Sequence, residues 1–339
     1  MFSFKNDYSQ GCHKKILESI VKYNNSQQLG YGDDEYSQKA KELIRSLIKK
    51  RNAEIFFVSG GTQANLVVVS ALLRPHESVI CVDSAHVHVH EAGSIEAVGH
   101  KLNVVRSKDG KISVEQINAV LQEHCIIPHM VKPRMVYISN STEVGTIYKK
   151  SELTMISVFC RKNNLLLYVD GARLGSALCS SVNDLEMSDI ANLTDIFYIG
   201  GTKNGALLGE AIVVCNDALK QDFAYILKQK GALLAKSRIL GIQFMELFAD
   251  GLFFELANQS NKMAQLLADG LKRKGFGFAY EHISNQIFPI LPNNVIDKLL
   301  AEFEFYVWEK FDESNSVVRL VTSWDTKQEA VERFIDFLD

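Results

Sequence analysis

Four short stretches of this chain carry side chains whose type and placement could do chemistry. In "DIFYIGGTKNGALLGEAIVV", Lys203 follows an apolar run and sits in a glycine-rich turn before a second apolar run. A low-dielectric setting disfavours the ammonium form, so the pKa falls and a free amine becomes available to attack a carbonyl. The alternative is an ordinary solvated turn lysine. In "LLLYVDGARLG", Asp170 ends the apolar run Leu165 to Val169. That places its carboxylate at the C-terminal edge of a buried strand, where open α/β sheets bind ligands. A carboxylate buried there needs a positive partner. A protonated ring nitrogen of a bound heteroaromatic molecule would serve, and Arg173 is the rival. In "FFVSGGTQANL", Gly60 and Gly61 follow a strand and Thr62 starts a helix. Free backbone N–H groups and the positive helix end favour a phosphate, and Thr62 can add a hydroxyl donor. The same residues would also make a plain strand-to-helix turn. In "DSAHVHVHEAG", His86, His88 and His90 alternate with valine, and Glu91 follows. The spacing alone permits a metal site, a strand with one polar face, or another element.

These residues need a scaffold that brings several strand ends to one edge. From about Glu54 onward, short apolar runs alternate with longer amphipathic ones. "EIFFVS", "SVICVD", "KLNVVRS", "RMVYISN", "LLLYVD", "DIFYIGG" and "EAIVVCN" read as strands. "TQANLVVVSALL", "VHEAGSIEAVG", "SVEQINAVLQEHC" and "SELTMISVFCRKNN" read as helices between them. Continuous apolar strands separated by helices predict an α/β domain with a mostly parallel sheet covered on both faces. After about Asn216 a long helical tract is expected, from "DFAYILKQKGALLAKS" through "ILGIQFMELFADGLFFELANQSNKMAQLLADGLKRKG". It leads to strands in "NQIFPILP", "FEFYVWEKF" and "SVVRLVTSW" and a closing helix in "TKQEAVERFIDFL", a small α+β unit. The expected division is an N-terminal arm (1–35), a large α/β domain (36–237) and a small C-terminal α+β domain (238–339), joined through a continuous helix.

With 339 residues, 47% of them hydrophobic, the chain can build one large core and a smaller appendage. A formal net charge of -3, with basic residues spread along the sequence, leaves no electrostatic footprint for nucleic acid or an anionic membrane. Cys12, Cys81, Cys125, Cys160, Cys179 and Cys215 are scattered without a CxxC pair, which argues against a disulfide framework or a thiolate zinc site. No apolar run approaches the ~20 residues that a spanning helix needs. "MFSFKNDYSQGCHKK" lacks the apolar core of a signal peptide. A cytoplasmic location is expected.

The order of the first three stretches is informative. A phosphate cup after an early strand, an aspartate after a middle strand and a lysine after the next would hold pyridoxal 5'-phosphate by its phosphate, ring nitrogen and aldehyde carbon. With "GGTQANL", "AHVHVHEAG", "VDGAR", "GGTKNGALLGEA", an early "GYGDDEY" and a late "VVRLVTSW", the chain resembles the fold-type-I pyridoxal-phosphate enzymes. Among them it is similar to the L-threonine aldolase/β-eliminating lyase family, from residue 6 to about 324.

The resemblance implies a role for each matched residue. Lys203 becomes the Schiff-base lysine and Asp170 the partner of the pyridine nitrogen. Gly60, Gly61, Thr62, Thr202 and Arg173 become further cofactor contacts. His86 stacks on the cofactor ring and is the first candidate to take a proton from the substrate hydroxyl. "HVHVHEAG" then starts a helix, with His86 and His90 on one face and His88 turned away, so a metal site recedes. His129 falls near a second active-site histidine of the family. Arg319 and Arg173 match its substrate-carboxylate contacts, where a planar guanidinium suits bidentate binding.

The departures are also specific. Asn6-Asp7 replaces a usual Ser-Asp, leaving Asn6 as the substrate contact. Asn140-Ser141-Thr142 replaces Glu-Asn-Thr after a central strand. Lys236 in "KQKGALLAKSR" stands in for an arginine that reaches the partner subunit's phosphate, and "RLVTSW" lacks the histidine of "RLVTH". The implied activity is cleavage of L-threonine, L-allo-threonine or a related β-hydroxy amino acid to glycine and an aldehyde. The alternatives are aromatic β-hydroxy amino acid cleavage, β-elimination or transamination on the same scaffold. A homodimer or homotetramer with the site between subunits is also implied.

Overall fold

The computed structural model describes residues 1–338. Its centre is a seven-stranded sheet made of β1 (Glu54–Val58), β2 (Glu77–Val82), β3 (Leu102–Val105), β4 (Lys132–Ser139), β5 (Leu166–Asp170), β6 (Ile196–Gly200) and β7 (Glu210–Val214). Their spatial order is β1-β7-β6-β5-β4-β2-β3. Neighbours from β6 to β3 are parallel, and β7 runs antiparallel to both β6 and β1. Every residue of β2, β5, β6 and β7 is buried, which is why these runs show no polar alternation. Because β7 alone is reversed, the C-terminal ends of β1, β2, β4, β5 and β6 share one edge of the sheet.

Two expected helices are broken. The segment from His86 to Gly99, which contains "VHEAGSIEAVG", forms short helices at His86–Val89 and Ser94–Ala97, separated where Ala92 and Gly93 take φ of 50° and 74°. The long C-terminal tract is interrupted after the helix Phe223–Gln229, and again between α2 (Arg238–Ala249) and α3 (Leu252–Arg273). At the second break Gly251 has φ 77°, a left-handed conformation that glycine adopts without a Cβ penalty. Among the described residues no helix is long and apolar enough to cross a membrane.

Two large hydrophobic cores follow from this layout, beside a small cluster of Val144, Phe288 and Val317. The first takes in the central sheet, α2 and the start of α3 through Leu252, Phe253 and Leu256. Phe57 of β1 meets Phe244 of α2 with ring centroids 5.0 Å apart. The second collects Met263, Ala264, Leu267 and Leu271 of α3 with Ile287, Leu291, Val318 and Leu320 of an antiparallel C-terminal sheet. The changeover between the two cores falls inside α3, between Leu256 and Met263, because α2 packs on the central sheet. The arm is divided as well. Phe2–Ser3 pairs in parallel with Phe303–Glu304, and Phe4 is buried against Phe303 and Phe334. Its first residues thus belong to the second core.

Candidate active site

The shared edge is closed by glycines. Gly200, the last residue of β6, donates its N–H to Gly171 O just past β5 at 2.9 Å. A Cβ on Gly200 would stand 2.3 Å from Ala172 O, and one on Gly171 only 1.9 Å from Tyr198 O. The two strand ends can meet only because neither residue has a side chain. This junction fixes Asp170 on one strand end relative to the turn carrying Lys203 after the other. Above the edge lies a cavity of about 480 Å³ lined by Lys203, His86, His90, Glu143, Arg173, Tyr8, Trp308, Arg319 and others.

Burial pushes the Lys203 amine below its ordinary pKa, and the nearby Arg173 cation adds to the effect. Asp7, Asp170 and Glu210 oppose it. Its Nζ lies 6.0 Å from the Tyr8 ring centroid. The turn is pinned from below: Thr202 Oγ1 accepts from Gly209 N at 2.9 Å, and Gly201 N donates to Glu210 Oε2 at 2.8 Å.

Asp170 is only 3% exposed. Its carboxylate accepts from Tyr137 Oη at 2.5 Å, from Tyr198 Oη and from Ala172 N at 3.0 Å. Arg173 is not its partner. That guanidinium instead binds Asp7, with Nε to Oδ2 at 2.7 Å and Nη2 to Oδ1 at 3.0 Å. The rival Asp170–Arg173 pairing within "DGAR" is thereby set aside. Neither tyrosine was singled out from sequence, although the register pairs Tyr137 with Tyr168 and Ser139 with Asp170 across β4 and β5.

Helix α1 (Gly61–Leu72) starts at this edge with Gly60 as its N-cap and no side-chain cap. The amides of its first turn have no i−4 carbonyl to bind. A Cβ on Gly61 would stand 2.9 Å from Tyr198 Oη, while Thr62 is exposed. Such an uncapped turn can take an anion, and it lies beside Tyr198, the tyrosine that donates to Asp170.

His86 and His90 both line the cavity, with ring centroids 5.6 Å apart, and the exposed His88 does not. His86 Nδ1 lies 2.7 Å from Glu91 Oε1. The buried Glu91 also accepts from Asn65 Nδ2 at 2.7 Å and Ser94 Oγ at 2.6 Å, so its position is fixed by three contacts. Arg319, on the strand Asn315–Val321, donates from Nη2 to Gln286 Oε1 at 2.5 Å. Its guanidinium carbon lies 5.5 Å from the Trp308 ring centroid, and its buried Nε has no partner among the described residues. Burial and the Arg173 charge press its pKa to about 10, which leaves it cationic at neutrality.

Among the expected residues Lys203, His86, Arg173 and Arg319 line the cavity, whereas Asn6, His129 and Lys236 do not. Asn6 Oδ1 instead accepts from Tyr8 N at 3.0 Å and Ser9 Oγ at 2.8 Å, a local turn that presents Tyr8. His129 is exposed on the loop after the helix Val114–Glu123, away from the strand edge. Lys236 is exposed beside Ser26, Gln27 and Leu29. The sequence reading also missed Glu143, which lines the cavity three residues after Asn140. Its signal was its place just beyond the end of β4, on the edge that carries the other site residues.

Known proteins match this chain closely. Residues 14–291 match the beta-eliminating lyase family. A low specificity L-threonine aldolase of Pseudomonas aeruginosa is 33% identical over 334 residues, covering 97% of this chain and 94% of its own. The solved structure of a threonine aldolase from Leishmania major superposes with a TM-score of 0.98 at 48% identity, over 100% of this chain and 98% of that one. A putative L-allo-threonine aldolase from Listeria monocytogenes shares the fold, with a TM-score of 0.76 at 17% identity, over 99% of this chain and 95% of its own.

Proposed function

The chain belongs to the beta-eliminating lyase family, and on that premise we propose that it is a pyridoxal-phosphate-dependent aldolase. It cleaves L-threonine, L-allo-threonine or a related β-hydroxy amino acid to glycine and an aldehyde. The observation that carries this reading is the glycine junction of β5 and β6, which sets an amine and a buried carboxylate at one strand edge beside an uncapped helix.

Those features suit pyridoxal phosphate. The uncapped first turn at Gly60 and Gly61 would take the phosphate, Asp170 would pair with the ring nitrogen, and Lys203 would hold the aldehyde carbon. When bound, the cofactor supplies a sink for the electron pair left on Cα when the Cα–Cβ bond breaks. The protein supplies the rest. Tyr137 and Tyr198 hold the Asp170 carboxylate in one orientation. Glu91 fixes the His86 imidazole, whose ring walls the cavity for stacking. Arg319, which lines the cavity, would offer its guanidinium to the substrate carboxylate, and Asp7 keeps Arg173 oriented. A homodimer or homotetramer, with Lys236 reaching the neighbouring subunit's phosphate site, belongs to the same proposal.

The test is chemical. Borohydride treatment of the cofactor-loaded protein should add the cofactor's mass to the peptide containing Lys203, and Lys203→Ala should lose that label and all turnover. Incubation with a panel of β-hydroxy amino acids should release glycine and an aldehyde in equal amounts. Label on another lysine, or pyruvate and ammonia in place of glycine, would overturn the reading.

A further inference from the structure

We propose that Glu143 is a catalytic acid–base residue of this site, taking the proton of the substrate's β-hydroxyl as the Cα–Cβ bond breaks. This rests on the aldolase reading above. A β-hydroxy amino acid brings three polar groups into the cavity. Arg319 answers its carboxylate, and the Lys203 side of the site answers its amine. The hydroxyl needs an acceptor of its own.

The geometry singles out Glu143. It follows β4 on the same edge as the other site residues, and it lines the cavity with Lys203, Arg173 and Arg319. One carboxylate oxygen is fully engaged: Oε1 accepts from Ser139 Oγ at 2.6 Å and from His86 N at 3.0 Å. The other, Oε2, has no hydrogen-bond partner among the described residues and is not sealed away from the cavity. Two donors thus aim the carboxylate and leave one oxygen for a ligand. Among the neighbours, His86 is the residue read above as the ring-stacking wall of the cavity, and Tyr8 and His90 sit at its exposed mouth.

The surroundings also tune the group. Burial raises the Glu143 pKa, the Ser139 hydrogen bond opposes this, and the Asp170 charge adds to the rise. Arg173 and Arg319 feel its charge from across the cavity, which His86, His90 and Lys203 also line. A carboxyl raised toward the working pH can both accept and return a proton. The step balances. The hydroxyl proton passes to Glu143, the C–O bond becomes the aldehyde carbonyl, and the Cα–Cβ pair stays on Cα, which gains one proton to give glycine. Glu143 then releases its proton, so no oxidant or further reactant is needed.

The test is Glu143→Gln in the cofactor-loaded enzyme. The amide oxygen can keep both contacts to Ser139 and His86, so a purely structural role predicts parental behaviour. The proposal predicts a fall in kcat for cleavage of ~10²–10⁴-fold, the usual range for losing a general acid or base. It also predicts loss of the limb of the kcat–pH profile that rises with pH. Glycine has no hydroxyl, so exchange of its α-proton with deuterated water should continue at the parent rate. Infrared difference spectra should lose one carboxyl band that titrates above the ordinary glutamate range in the parent. Cleavage within ~10-fold of the parent, or cleavage and glycine exchange falling together, would overturn the proposal, since each removes the hydroxyl-specific effect. If the parent released no glycine from any β-hydroxy amino acid, the aldolase reading would fail first, and the infrared titration would still report on the carboxyl.

Discussion

Asp7 and Arg173 lie 166 positions apart in sequence yet form a two-bond ion pair whose side chains are 1% and 10% exposed. Taking one partner away leaves a buried charge without compensation, which costs about 3–5 kcal/mol. Asp7→Asn should show that loss in urea unfolding, and Arg173→Lys should not recover it, because an ammonium lacks the fork. Burial would raise the Asp7 pKa, but Arg173, Lys203 and the Asn285 hydrogen bond outweigh it and leave it lowered. A lowered carboxyl stabilises the fold fully above its ordinary value of 3.8 and loses that contribution as pH falls through the folded value. The parent's unfolding free energy should therefore drop below that pH more steeply than the variant's. Lys203 and Asp170 were legible in the sequence because each follows an apolar strand. Glu143, Tyr137, Tyr198 and the Asp7 contact were not, because their roles arise only when strand ends are laid side by side.

At the scale of elements, the site depends on how closely β5 and β6 approach at their ends. A Cβ on Gly200 would overlap Ala172 O at 2.3 Å, and backbone offers no flexible tip to move aside. Gly200→Ala should destabilise the protein by at least ~1–3 kcal/mol, as overpacking does, and shift the Lys203 turn enough to weaken cofactor retention. Gly11→Ala is the control, since nothing lies within 4 Å of its Cβ. Thermal melting followed by absorbance of the retained cofactor would separate the two. The central strands β2, β5, β6 and β7 were readable because strands buried on both faces appear as unbroken apolar runs. The breaks at Ala92–Gly93 and at Gly251 were not, since the flanking residues keep helical periodicity while φ turns positive at Ala92, Gly93 and Gly251.

On the scale of the whole molecule, two cores are tied together twice. Helix α3 passes from one to the other, and the arm places Phe4 in the second core while Asp7 grips Arg173 of the first domain. The cavity lies at this seam, with Arg319 and Trp308 contributed by the C-terminal sheet. The sequence indicated two units and a joining helix, but the point of division depends on which sheet α2 covers, and periodicity does not record that. The chain has two tryptophans. Trp308 sits over the Arg319 guanidinium, whereas Trp324 packs near His13, 5.7 Å between ring centroids, in a separate groove. The molecule thus carries its own fluorophore at the substrate end and a second one as an internal standard. An amino acid arriving at the guanidinium should perturb the indole emission of a Trp324→Phe variant and leave that of Trp308→Phe unchanged, so occupancy can be followed by light without any turnover.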